Sequence, residues 1–390
     1  MTDRSTSSTP KVYGWCPGAL RPMMSGDGLV VRIRAPLGRL SCEQAQAVAD
    51  LSHRYGNGIL DVSARANLQM RGVSEDQHPA LIAALQDLCL VDADATIEAR
   101  RNVLVAPFWS AGDETHILAQ RLSKALVQAT DLTLPGKFGF AVDAGPAPVL
   151  RATSADIRIE RNRDGFVLVA DGAETGLNVT LDTAVKDALA LARWFLSQGG
   201  APNGRGRMRP LIAHRGPPSA HGAILGAAAP QQVLTQTTTS RLVGLEFGQI
   251  TATDFATLAS YGPLRLTPWR MLLVEAATDI APLPSLILDA TDPRLQVSAC
   301  TGAPGCLQAL SSTRALARDL APYVPLGSKL HVSGCSKGCA HPGAAPLTLT
   351  ATSPNTYHLI HNGTASDHPA HTNLSASQLR ASPDIMTKGS

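Results

Sequence analysis

Two stretches of the chain carry the same order of apolar and polar positions. From Leu29, the run LVVRIRA alternates with a period of two and predicts a strand. Gly38 punctuates it, CEQAQAVADLSHRYG carries apolar residues at helical spacing, and GILDVSA and NLQMRGV read as two further strands. Much later, RLVGLEFGQIT, DFATLASYG, LRLTP and WRMLLVEAA follow in the same order, with ILDVSARANLQM set against PLRLTPWRMLLV. Each copy therefore predicts a βαββ unit. Between them, helical signals at EDQHPALIAALQDLCL and DETHILAQRLSKALVQA alternate with the strand-like runs DIRIERN, GFVLVAD and LNVTLD. That alternation predicts a compact α+β domain.

The chain is thus expected to be α+β. Residues 12–75 form a first ferredoxin-like half-repeat, 76–200 a middle α+β domain, and 201–232 a connecting loop rich in Gly, Pro, Ala and Arg. Residues 233–285 form the second half-repeat, 286–372 a C-terminal α+β domain, and 373–390 a polar, Ser-rich tail with no core pattern, expected to fray. In strand NLQMRGV and the residues before it, Arg65, Asn67, Gln69 and Arg71 share one face by the period of two, with Leu68 and Met70 turned to the core.

Composition narrows the function. A net charge of +3 with dispersed basic residues and few aromatics argues against a nucleic-acid partner. No long uninterrupted apolar run offers a membrane span, and the start MTDRSTSSTPKVYGW has no apolar signal region. Seven cysteines, an odd and modest number, fit a reducing cytoplasm.

Four of those cysteines cluster: Cys300 and Cys306 as C-x5-C in ACTGAPGC, Cys335 and Cys339 as C-x3-C in HVSGCSKGCAHP. Four soft thiolates suit a 4Fe-4S cluster, one sulfur per iron, and the surrounding glycines and prolines let the backbone bend around it. A structural zinc site is the alternative, but only the second pair has zinc-like spacing. Cys42 and Cys89 lie in helical, apolar contexts expected to bury them as small hydrophobes, and Cys16 sits in a GWCPG loop. His53, His78, His116, His214, His331 and His341 show no spacing that singles out a metal triad. No Gly-x-Gly-x-x-Gly follows a strand, so electrons from a nicotinamide would arrive through a separate protein.

With those residues in place, the chain resembles the sirohaem-dependent sulfite and nitrite reductase superfamily, and within it most closely the precorrin-3B synthase family of aerobic cobalamin biosynthesis. WCPGALRPMMSGDGLVVRI resembles the family's opening. SARANLQMRG, EARRNVLVAP and LPGKFGFAV resemble basic substrate-binding segments of the reductases, and HVSGCSKGCAHP resembles their cluster hairpin.

The resemblance implies that Arg65, Arg101 and Lys137 surround an anionic substrate, with Asn67, Gln69 and Arg71 beside them. Guanidinium forks and a lysine charge suit an acid-rich tetrapyrrole. It also implies a 4Fe-4S cluster at Cys300, Cys306, Cys335 and Cys339, a mononuclear non-haem iron whose ligands stay unassigned, and NADH as the ultimate reductant through a reductase. The expected substrates are precorrin-3A and O2, in a monooxygenase reaction hydroxylating C20 with γ-lactone formation. His341 is a candidate catalytic residue because it neighbours the cluster hairpin. Gly139 stands where the reductases carry a second lysine, and His341 where they often carry arginine. Both departures disfavour the alternatives of a sirohaem sulfite or nitrite reductase. A bare electron carrier would not need the basic constellation.

Overall fold

The computed structural model describes residues 17–229, 234, 237, 239–277 and 279–387, so Cys16 lies outside the described residues. The two βαββ copies are present, and they are interlocked rather than side by side. One five-stranded sheet runs in the order Met23–Ser25, Gly28–Ile33, Leu68–Val73, Ile59–Val62, Gln249–Thr251, so its last strand comes from the second copy. The other runs Leu286–Ile287, Ser240–Leu245, Met271–Glu275, Leu264–Leu266, Arg39–Leu40, closing on a strand of the first copy.

The exchange follows from equivalent short turns. Leu37 and Phe247 both adopt φ 54°, and each is followed by a left-handed glycine, Gly38 at φ 72° and Gly248 at φ 81°. This reverses the chain out of one sheet and into the edge of the other. Ser41 and Thr251 then cap helices Cys42–Tyr55 and Ala252–Ala259 by accepting from the Gln44 and Asp254 N–H groups. The two helices and both sheets bury one continuous core, including Val31, Leu68, Met70, Ile250, Phe255 and Leu272. Helix His78–Asp87 joins this core through Leu81, Ile82 and Leu85, although the sequence pattern places it in the middle domain.

The middle domain has a six-stranded sheet with helices Glu114–Gln128 and Ala184–Ser197 packed on it. Residues 201–232 are not a mere linker. Helix Met208–Arg215 buries Met208, Leu211 and Ile212 in the middle-domain core, and Ala223–Ile224 supplies the edge strand of its sheet. Short apolar groups among glycines and prolines hid the first of these from a periodicity reading.

The C-terminal domain is a five-stranded sheet ordered Val297–Ala299, Leu330–Ser333, Ala345–Ser353, Thr356–Gly363, His371–Ser375. Its last strand and the following helix Ala376–Ala381 correct the expected frayed tail. Leu379 and Met386, both 0 % exposed, close the domain core. Two anchors per short amphipathic segment suffice for docking but are too few to show as a pattern.

Candidate active site

The first two strands of the C-terminal sheet run parallel, pairing Ala299 with Val332, so their carboxyl ends bring Cys300 and Cys335 to the same edge. The Gly334 N–H donates to Cys300 Sγ at 3.1 Å. A Cβ on Gly334 would lie 2.7 Å from Ala309 Cβ, which leaves room there only for glycine. Cys306 follows in the loop held by its own N–H donating to the Gly302 carbonyl at 2.8 Å, and the Leu310 N–H ties that loop to the Gly334 carbonyl at 2.8 Å. Cys339 sits beyond the left-handed Gly338, φ 60°.

Burial pushes the Cys335 thiol above the usual range and the neighbouring Cys300 and Cys306 thiols reinforce it, while Cys339 is exposed. Among the described residues, no three His, Cys, Asp or Glu side chains converge as on a single metal ion. A four-iron cube distributes its thiolates over four metal atoms, and the cradle of glycines with an N–H aimed at sulfur fits that group.

One face of the first sheet turns toward this loop. Strand register sets Arg32 beside Gln69, Gln69 beside Asp61 and Asp61 beside Gln249, a polar row running across four strands. Their neighbours Val31, Ile33, Leu60, Val62, Leu68, Met70 and Ile250 fill the core on the other face. Asn67 is buried at the start of the Leu68–Val73 strand and Arg71 near its end, about 13 Å apart at the usual rise per residue.

Arg71 is buried and braced. Its guanidinium pairs with Asp27 at 2.7 Å and Asp61 at 3.4 Å, and donates to the Gly305 carbonyl at 2.8 Å, one residue before Cys306. Arg314 reaches Asp61 from the other side at 2.9 Å. The second copy inverts these charges: Arg265 stands where the first has Asp61, and Glu275 where it has Arg71. There the pair is structural, with Arg265 also donating to the Pro107 carbonyl at 2.7 Å and lying over the Trp109 ring.

Arg65 departs from the strand reading. The strand begins only at Leu68, and Ala66 at φ 50° breaks the alternation, so Arg65 lies in a turn. From there it donates to the Lys137 carbonyl at 2.9 Å and to Ser154 Oγ at 3.1 Å, which brings Arg65 and the exposed Lys137 together. Arg101 makes a two-pronged pair with Asp92 at 2.9 and 3.0 Å. It lines a cavity with Arg34, Asn67 and Asn102. A Cβ on Gly139 would lie 2.7 Å from Asn102 Nδ2, which donates to the Phe138 carbonyl.

Four residues on or bracing this sheet face went unread in the sequence, Arg32, Asp61, Gln249 and Arg314, as did Arg270 against the cysteine hairpin; His331 reads there only as a histidine without metal-triad spacing. Strand register and the exchange of edge strands bring in Arg32, Asp61 and Gln249, and Arg314 reaches them from the helix Arg314–Leu320. His331 is fully buried in the strand leading to Cys335 with neither ring nitrogen hydrogen-bonded among the described residues, and burial lowers its pKa to about 4. Its ring centroid is 5.8 Å from that of His341. Burial also lowers the pKa of His341, whose Nε2 is 3.2 Å from the Ala344 carbonyl. Cys89 is exposed in a left-handed turn and Cys42 half-buried at a helix start, so neither is the buried apolar thiol expected.

The fold and site have known relatives. A precorrin-3B synthase from a Sinorhizobium species is 31% identical over 393 residues, covering 92% of this chain and 84% of that protein. The chain belongs to the precorrin-3B synthase family. The wider superfamily is also evident: residues 21–88 match the nitrite/sulfite reductase ferredoxin-like half domain. A ferredoxin–nitrite reductase of Synechococcus elongatus is 26% identical, covering 84% of this chain and 77% of that protein. The solved structure of the Mycobacterium tuberculosis NirA protein shares the fold, with a TM-score of 0.67 at 17% identity, covering 91% of this chain and 79% of that one.

Proposed function

We propose that the protein converts precorrin-3A to precorrin-3B, hydroxylating C20 as an acetate side chain closes a γ-lactone, in aerobic cobalamin biosynthesis. The observation that carries this reading is the 31% identity to a precorrin-3B synthase across 92% of the chain. The reaction is a monooxygenation: O2 gives one atom to the substrate and one to water, with two electrons from NADH delivered through a separate reductase. A 4Fe-4S cluster at Cys300, Cys306, Cys335 and Cys339 would pass those electrons singly.

The polar row supports a flat, acid-bearing substrate. Arg32, Gln69 and Gln249 line the sheet face with polar groups, and Arg65 with Lys137 closes one end with positive charge. Asn67 lies beside this face. Arg71 and Arg101, engaged by Asp27, Asp61 and Asp92, act there as braces that fix the pocket wall rather than as free cations. His341, beside the hairpin with its Nε2 3.2 Å from the Ala344 carbonyl, is the candidate to accept a proton there. No ligand set for a mononuclear iron is gathered among the described residues, and no step is assigned to it. None of the described helices is long and apolar enough to cross a membrane, and the proposed location is the cytoplasm.

The test begins with anaerobically purified protein. Iron and sulfide with no extractable sirohaem, followed by oxygen-dependent consumption of precorrin-3A and uptake of one labelled oxygen atom from heavy O2, supports the reading. Extractable sirohaem with nitrite or sulfite turnover rejects it. His341→Ala should keep the cluster absorption and lose turnover; full activity removes His341 from the chemistry.

A further inference from the structure

Arg270 lies at the tip between strands Leu264–Leu266 and Met271–Glu275, the position that Ala66 occupies in the first copy. Both residues adopt the left-handed conformation, φ 61° and 50°, which costs a side-chain-bearing residue about 1 kcal/mol or more. In the second copy this turn carries the longest available cation. Its stem is pinned, since a Cβ on Gly248 would lie 2.9 Å from Arg270 Cδ and 2.9 Å from the Val62 carbonyl. The guanidinium therefore points at the cluster hairpin, where it donates to the Ala340 carbonyl at 2.7 Å, one residue after Cys339.

No carboxylate pairs directly with Arg270 among the described residues; Asp61, which attracts it, is held by Arg71 and Arg314. Arg314 repels it, while the Cys300 and Cys339 sulfurs attract it. A desolvated guanidinium without a carboxylate needs another anion to offset its lost hydration. The other cation near Cys339, Lys337, is exposed to water and does not substitute for it.

We propose that Arg270 is the permanent counter-charge of the iron–sulfur cluster, setting its reduction potential without touching the substrate. The inference rests on the reading that the four cysteines hold such a cluster. On one-electron reduction by an external donor the cluster becomes one unit more negative, and a fixed cation nearby favours that form. Loss of the charge should shift the potential downward, and Lys at the same position should largely restore it.

The experiment is a dithionite titration followed by EPR on anaerobically purified parent, Arg270→Gln and Arg270→Lys proteins, with iron and sulfide counted in each and precorrin-3A binding measured in parallel. The expected result is a cluster of unchanged stoichiometry whose potential falls in R270Q and recovers in R270K, with substrate affinity unchanged. An unchanged potential in R270Q, or a loss of substrate affinity in its place, overturns the proposal. If R270Q loses the cluster, R270K decides: retention near the parent potential supports the charge argument, and loss in both overturns it. A parent without iron and sulfide overturns the cluster reading itself.

Discussion

Asp61 Oδ1 accepts from Arg314 at 2.9 Å, so a single carboxylate of the first half-repeat ties the polar face of its sheet to the C-terminal domain. The same carboxylate holds Arg71 at 3.4 Å. Asp61→Asn leaves Arg314 facing a neutral amide in a half-dry interface, while Arg71 keeps Asp27. Urea denaturation should show a loss of about 3 kcal/mol. An unchanged midpoint would mean that the contact between the domains does not depend on this carboxylate.

Gly334→Ala tests the cradle. The added methyl would meet Ala309 Cβ at 2.7 Å, and relief requires moving the N–H that donates to Cys300 Sγ. The variant should fold yet hold less iron and sulfide per chain than the parent. Full loading would show that the hairpin has slack that the close approach does not suggest.

Gly139→Lys adds a second positive charge beside Lys137, and its Cβ falls on the Asn102 amide. We expect a stability loss of about 1–3 kcal/mol from overpacking and no gain of sulfite or nitrite reduction. Measurable reduction of either anion would place the specificity of the site in this one residue.

Stability should depend on Asp143. It is 1 % exposed, and burial raises its pKa to about 6, against the Val149 and Leu150 N–H groups that favour its charge. A folded-state pKa above the unfolded value near 4 means that the folded chain binds the extra proton in that window. Its contribution is therefore present below about pH 4 and is lost as pH rises to about 6. Asp143→Asn should flatten this part of the pH–stability curve, as read by thermal melts; an unaltered slope would assign it to other groups.

Leu379→Ala should cost about 2–5 kcal/mol, because the side chain is fully buried in the C-terminal core. A loss under about 0.5 kcal/mol, the range of ordinary surface changes, would argue that the terminal helix is only loosely docked.

What the sequence determined by itself was the content of short stretches. Alternation in LVVRIRA and NLQMRGV, helical spacing in CEQAQAVADLSHRYG, and their repetition late in the chain were enough for two βαββ copies. The four cysteines and their flanking glycines marked the candidate cluster site in the same way, since ligand type and local bends are local properties. The tertiary structure alone decided partnership. The exchange of Arg39–Leu40 and Gln249–Thr251 between sheets puts Gln249 beside Asp61, and the charge inversion between the copies separates a site face from a packed face. It decided too that Arg71 and Arg101 are braced by carboxylates, and that the polar C-terminal residues dock. Such pairings join residues from nine positions apart, as Arg101 and Asp92, to 253, as Arg314 and Asp61, and no periodicity along the chain records which side chain will neutralise which charge.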